Sequence, residues 1–243
     1  VYLPEGYDPA RKYPVLYTCD GEGVFDRETA HNQVELGLDE KAAELVAQGK
    51  MSEVIIVAVA SGGTNVERFR DYAPVADARY GGGGADKYLA FLQEELKPMV
   101  DATYSTATEA GRTGIMGSSL GGLFALYAGF VAPHTFGLVG ALSPSLWVAN
   151  RDMLHRMVEA TEGPEKVWID MGTKEQKDPR LSQDRVDEFR VAELALQEHG
   201  YQPGQTMFAH LIEGGVHSQN QFKLQAGDLM ESLFPADEFR RTS

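Results

Sequence analysis

The chain has 243 residues, 43% of them hydrophobic and 24% charged, which suits one α/β domain with ample material for a core. Its 36 acidic and 22 basic residues leave a formal net charge of −14, which argues against nucleic acid and anionic membrane surfaces as partners. One cysteine, Cys19, excludes an intrachain disulfide, and no apolar run reaches the roughly 18 residues of a membrane-spanning helix.

Strand-like and helix-like patterns alternate along the chain. Val1-Tyr2-Leu3-Pro4 reads as the tail of a strand, so N-terminal strands can be missing ahead of it, and no targeting signal or compartment is legible. Tyr13 to Thr18 reads as a strand that runs into Cys19, a buried inert thiol, and the turn Asp20-Gly21-Glu22-Gly23. Val34 to Gln48 reads as a helix stopped by Gly49. Val54 to Ala60 is a continuous β-branched run bounded by Ser61-Gly62-Gly63, as expected of a strand covered on both faces. Gly81-Gly82-Gly83-Gly84 lacks the Lys-Ser/Thr ending of a phosphate loop and reads as a flexible entry to a helix over Ala85 to Asp101. Further strands are expected near Thr113–Met116 and over Phe136–Leu142, Lys166–Ile169 and Met207–Ile212. Further helices are expected over Ser182–His199 and Gln219–Leu233. This alternation implies a single domain over residues 1–243 with an open, mostly parallel sheet and helices on both faces.

Between the strand near Thr113 and the apolar run Leu123 to Tyr127 lies Gly117-Ser118-Ser119-Leu120-Gly121-Gly122. The pattern G-x-S-x-G between a strand and a helix is that of a nucleophile elbow, with Ser119 lifted above the sheet edge on a strained turn. A serine hydroxyl needs a base in contact, and the base needs an orienting carboxylate. Six histidines are available. His31 precedes the elbow, His134 follows too closely, His155 and His199 sit on amphipathic helices, and His210 lies inside a strand. His217, in Glu213-Gly214-Gly215-Val216-His217-Ser218 just past the last strand, is at the edge where such sites form. The acid should follow the preceding strand. Asp170 still lies within that strand, and Glu175 is favoured over Asp178 because a carboxylate near the strand end reaches the neighbouring loop most easily. Two N–H groups should bind a developing oxyanion: that of Leu120, and that of Glu22 or else Gly21 in the early turn. No His, Cys and Asp cluster has zinc-like spacing, and the chemistry calls for no metal or cofactor.

Val1-Tyr2-Leu3-Pro4-Glu5-Gly6-Tyr7, Tyr17-Thr18-Cys19-Asp20-Gly21-Glu22, Arg70-Asp71-Tyr72, the Ser119 elbow, Ser143-Pro144-Ser145-Leu146-Trp147, Gly172-Thr173-Lys174-Glu175 and Gly215-Val216-His217 occur in this order. Together they resemble the esterase D-like branch of the α/β-hydrolases, which holds feruloyl and acetyl xylan esterases, enterochelin-type esterases and mycolyltransferases. The resemblance implies an α/β-hydrolase fold, Ser119 as nucleophile, His217 as base and Glu175 at the acid position, where many relatives carry Asp. It places Trp147 and Phe25 near the mouth as pocket walls, although both equally suit a core. Arg68 and Arg70 can meet substrate or pair with acids.

The expected activity is a serine carboxylester hydrolase acting on a small-molecule ester with a short acyl group or a carbohydrate-linked one. The alternatives are a siderophore-lactone esterase or an acyltransferase on the same residues, or a silent binding protein that keeps the fold. A ferric siderophore is anionic and would want a basic pocket, which the net charge does not suggest. Oligomeric state is not legible.

Overall fold

The computed structural model describes residues 1–30, 33–61 and 64–236. His31 and the Gly62-Gly63 pair lie outside the described residues. Six strands form one sheet: β1 (Val15–Thr18), β2 (Ile55–Ala58), β3 (Thr113–Ser118), β4 (Leu138–Leu142), β5 (Lys166–Gly172) and β6 (Met207–Ile212). Their order is β2-β1-β3-β4-β5-β6, and every neighbouring pair is parallel. This is the α/β-hydrolase arrangement.

The helices are α1 (Leu38–Ala47), α2 (Asn65–Tyr72), α3 (Ala85–Phe91), α4 (Lys97–Thr103), α5 (Leu120–Val131), α6 (Val148–Glu159), α7 (Pro179–Glu198) and α8 (Gln219–Leu233). Side chains alternate across the strands and feed two cores. Leu16, Ile56, Met116, Leu138 and Trp168 meet Leu38, Phe222, Leu229 and Leu233 of α1 and α8. Tyr17, Val57, Ile115, Val139 and Ile169 meet the opposite layer, centred on Phe124 and Tyr127 of α5. Every residue of α5 from Leu120 to Phe130 is buried, so the helix behind the elbow is fixed from all sides. Each large apolar side chain buried there contributes about 1.5–3 kcal/mol.

Several elements differ from the sequence expectation. The helix expected from Val34 starts at Leu38, because Gly37 adopts φ +64° and the N–H groups of Leu36 and Gly37 bond back to the Gly23 and Val24 carbonyls. The helix expected over Ala85 to Asp101 is interrupted by a wide π turn at Leu92–Leu96. Pro98 lies just beyond it; with no N–H and a ring that crowds the preceding turn, it disfavours a regular ladder there. The helix expected from Ser182 starts three residues earlier, at Pro179, capped by the Asp178 side chain. The four-glycine tract enters α3 as expected, but it is tied down rather than loose. Gly83 and Gly84 donate to the Ala73 and Arg70 carbonyls, and a Cβ on Gly82 would lie 2.3 Å from the Phe69 carbonyl oxygen.

After β1 the chain crosses to β2 on one side and then to β3 on the other. The loops leaving β1 and β3 therefore diverge from adjacent strands at the topological switch point, where ligands of open α/β sheets bind. Asp20-Gly21-Glu22 and Ser119 are those loops.

Candidate active site

Ser119 sits between β3 and α5 with φ 56° and ψ −118°, a conformation that favours glycine and costs a larger residue about 1–3 kcal/mol. It persists because its neighbours are locked. The Ser119 N–H donates to the Leu142 carbonyl at 2.9 Å, and its carbonyl accepts from Ser145 N at 3.0 Å. The flanking glycines are steric requirements. A Cβ on Gly117 would lie 2.4 Å from the Gly121 carbonyl carbon, and one on Gly121 would lie 2.9 Å from the Cys19 Cβ.

The loops after β5 and β6 are joined by backbone bonds. Lys174 N donates to the Gly215 carbonyl and Thr173 N to that of Ile212. A Cβ on Gly172 would strike the Gly215 carbonyl oxygen at 2.3 Å, so this close crossing needs glycine. The crossing brings Glu175 and His217 together. His217 Nδ1 lies 2.5 Å from Glu175 Oε2, and His217 Nε2 lies 2.9 Å from Ser119 Oγ. A carboxylate only accepts, so Nδ1 carries the proton in the neutral ring, and the serine hydroxyl donates to Nε2. The His217 ring also packs edge-on against Phe222 at 5.1 Å. The Glu175 side chain is 2% exposed and that of His217 is 32% exposed, so the pair has a dry end and an open end.

Glu175 Oε1 accepts from Gly172 N and from Ser143 Oγ, both at 2.8 Å. Behind it lies Asp170, 2% exposed, which accepts from Ser143 N at 2.9 Å and from Trp168 Nε1 at 3.1 Å. Burial pushes Asp170 up to about 6, and the Glu175 charge acts in the same direction. Ser145 Oγ stands 3.2 Å from Ser119 Oγ. Ser143 and Ser145 carry no sequence pattern that marks them as neighbours of this cluster, and Asp170 reads from sequence as a strand residue. The signal they offered was the positions themselves, directly after β4 and inside β5 at the same sheet edge.

Asp178 caps α7 by accepting from Arg180 N and is not on His217. The Gly21 N–H is engaged by the Val59 carbonyl at 2.8 Å, which removes it as a free donor. The N–H groups of Glu22 and Leu120 donate to no other group among the described residues. The Glu22 carboxylate accepts from Ser61 N at 3.1 Å and Ser61 Oγ at 2.8 Å, tying the early loop to the exit of β2. Arg68 forms a two-pronged ion pair with Asp20, with Nε and Nη2 each 2.8 Å from a carboxylate oxygen. Arg70 pairs with its neighbour Asp71. The Cys19 thiol is buried, and burial pushes its pKa up.

A cleft of about 600 Å³ opens beside Ser119 and His217, with Asp20, Glu22, Asn65 and Arg68 among its lining. Neither Trp147 nor Phe25 lines it. Trp147 packs edge-on against Phe69 and Tyr80 under the Arg185 guanidinium, and Phe25 lies half-buried against the α1–α8 core. Among the described residues, no group of three or more His, Cys, Asp or Glu is placed to hold a metal ion, and no helix is long and apolar enough to cross a membrane.

A family model described as Putative esterase matches residues 1–227. The chain belongs to the Putative esterase family. It is a carboxylesterase of the α/β-hydrolase fold. The siderophore triacetylfusarinine C esterase of Aspergillus fumigatus is 30% identical to it over 199 residues, covering 76% of this chain and 64% of that protein. The ferri-bacillibactin esterase of Bacillus subtilis is 26% identical over 219 residues, 81% of this chain and 72% of that protein. A ferulic acid esterase from Anaeromyces mucronatus superposes on the esterase with a TM-score of 0.68 at 21% identity, over 96% of this chain and 82% of the other, which speaks to the fold.

Proposed function

We propose that this esterase cleaves its substrate with Ser119 as nucleophile, His217 as general base and Glu175 as the acid that holds the imidazole. The carrying observation is the unbroken chain from Ser119 Oγ through His217 to Glu175, with links of 2.9 and 2.5 Å, on a strained elbow. Ser119 Oγ attacks the ester carbonyl carbon while its proton passes to His217 Nε2. The imidazolium is stabilised by Glu175, and the tetrahedral oxyanion takes hydrogen bonds from Leu120 N–H and Glu22 N–H. Collapse returns the proton from His217 to the leaving alcohol. A water molecule, deprotonated by His217, then attacks the acyl-Ser119 carbonyl. The second collapse frees the carboxylic acid and restores the serine hydroxyl.

The substrate we favour is an uncharged ester with a short acyl group or a carbohydrate-linked one. The Arg68 charge in the cleft is matched by Asp20, so no uncompensated cation from that residue awaits an anion. The second reading, a siderophore esterase, draws on the names of the relatives from A. fumigatus and B. subtilis.

Ser119→Ala is expected to lower kcat at least about ten-thousandfold and to abolish fluorophosphonate labelling; retained turnover sinks the assignment. Glu175→Ala should cost about a thousandfold, whereas Asp178→Ala should leave kcat within about twofold and cost about 1 kcal/mol as a lost helix cap. Assays on 4-nitrophenyl acetate and butyrate, a feruloylated sugar and a ferric trilactone siderophore decide between the two substrate readings.

A further inference from the structure

The assignment of Ser119, His217 and Glu175 leaves a buried carboxylate unexplained. Asp170 is 2% exposed, meets no cation among its hydrogen-bond partners, and spends its two oxygens on Ser143 N–H and Trp168 Nε1–H. Ser143 is itself anomalous, with φ +40° on a non-glycine residue directly after β4. Such a conformation survives only where surrounding bonds over-determine it, and the Asp170–Ser143 bond at 2.9 Å is the one that holds its N–H.

Two consequences follow from the turn at Ser143. Its hydroxyl has one hydrogen and two acceptors in view, Glu175 Oε1 at 2.8 Å and Asp170 Oδ1 at 3.5 Å, so the hydrogen goes to Glu175. With Gly172 N–H on the same oxygen, Glu175 is pinned at Oε1 and presents Oε2 to His217. Two residues on, Ser145 donates its N–H to the Ser119 carbonyl and sets its hydroxyl 3.2 Å from Ser119 Oγ. One short stretch, Ser143 to Ser145, therefore touches both ends of the proton relay.

Resting on the proposed roles of Ser119, His217 and Glu175, we propose that Asp170 is a positioning residue for Glu175 and Ser119. By accepting the Ser143 N–H it fixes the left-handed turn from which Ser143 orients Glu175 and Ser145 flanks the nucleophile. A carboxylate suits the place because two donors face it, and an amide would offer only one acceptor.

The test uses the full chain with 4-nitrophenyl acetate as substrate, thermal melts, and the downfield proton resonance of His217 Nδ1–H on Glu175. Asp170→Asn keeps the shape with one acceptor, and Asp170→Ala removes both. Ser143→Gly keeps the turn without strain and deletes the hydroxyl. The expected kcat order is wild type, then Asn, then Ala, with Ala down about a hundredfold, KM within about twofold, and the Nδ1 resonance shifted or lost. A folded Asp170→Ala with kcat within twofold of wild type overturns the inference. If Asp170→Ala does not fold, Ser143→Gly decides: a lower kcat at unchanged KM with a shifted resonance supports it, and unchanged values overturn it. Ser119→Ala, run alongside, separates the two levels. Activity there refutes the reacting residues themselves, whereas an inactive Ser119→Ala beside a fully active Asp170→Ala refutes only the positioning role.

Discussion

Asp170 carries a stability signature of its own. Its pKa rises from 3.8 in the open chain to about 6 in the fold because burial penalises the charged form. The folded state therefore holds a proton that the unfolded state has already released between those two values. Its contribution is fully present below about pH 4 and is lost as pH rises through about 6. Relative to Asp170→Asn, which cannot ionise, the wild type should lose about 2 kcal/mol of stability between pH 4 and pH 7.5. The offset from the unmatched amide donor is the same at both pH values and cancels. Urea titrations of both proteins at the two pH values measure the difference directly. A gap that stays constant means that Asp170 is already ionised in the fold at pH 4 and that its pKa is not raised.

At the level of elements, the elbow is a contact between two stretches of backbone rather than a serine on a loop. A Cβ on Gly117 would press on the carbonyl carbon of Gly121, and backbone cannot swing aside as a side chain can. Gly117→Ala should therefore push α5 off β3 and destabilise by about 3 kcal/mol or more. Gly23→Ala, whose Cβ would first meet Ala30 at 3.9 Å, should stay within about 0.5 kcal/mol. Comparable urea midpoints for the two variants would show that the elbow tolerates the methyl. Such contacts explain what the sequence could reveal. The elbow was legible because its glycines recur at fixed spacing around Ser119. β2 was legible because a continuous apolar run suits a strand covered on both faces, whereas β5 was legible as an apolar run only to Ile169, where Asp170 interrupts the pattern. Glu175 and His217 could be placed at one sheet edge because each follows a glycine at the end of a strand or just beyond it. The helix α2 was missed because its eight residues bury only Phe69 and Tyr72 and otherwise read as polar surface. The start of α6 was missed because Ala149, Asn150 and Arg151 adopt left-handed angles with no glycine to announce them. Ser143 belongs with these: its conformation is imposed by Asp170, 27 residues away in sequence, and local propensity carries no trace of it.

On the scale of the whole molecule, charge is the property that acts beyond the contacts at the site. The formal net charge of −14 sets up a negative field, and the Arg68–Asp20 pair inside the cleft cancels locally rather than opposing it. A substrate anion is thus depleted near the protein, and a neutral ester of the same length is not. With a surface potential of one to two thermal units per charge, kcat/KM for a singly anionic ester should be about three- to sevenfold below that of its neutral isostere at low ionic strength. Salt shortens the screening length from about 30 Å at 0.01 M to about 3 Å at 1 M, so the handicap should shrink as salt is added. A matched pair such as 4-nitrophenyl hemisuccinate and 4-nitrophenyl valerate, each measured against salt concentration, isolates the effect. Retention of the same ratio at all salt concentrations would place the discrimination in the cleft itself. An anionic ester that is preferred at low salt would mean that a local cation outweighs the global field, and would favour the siderophore reading over the neutral one.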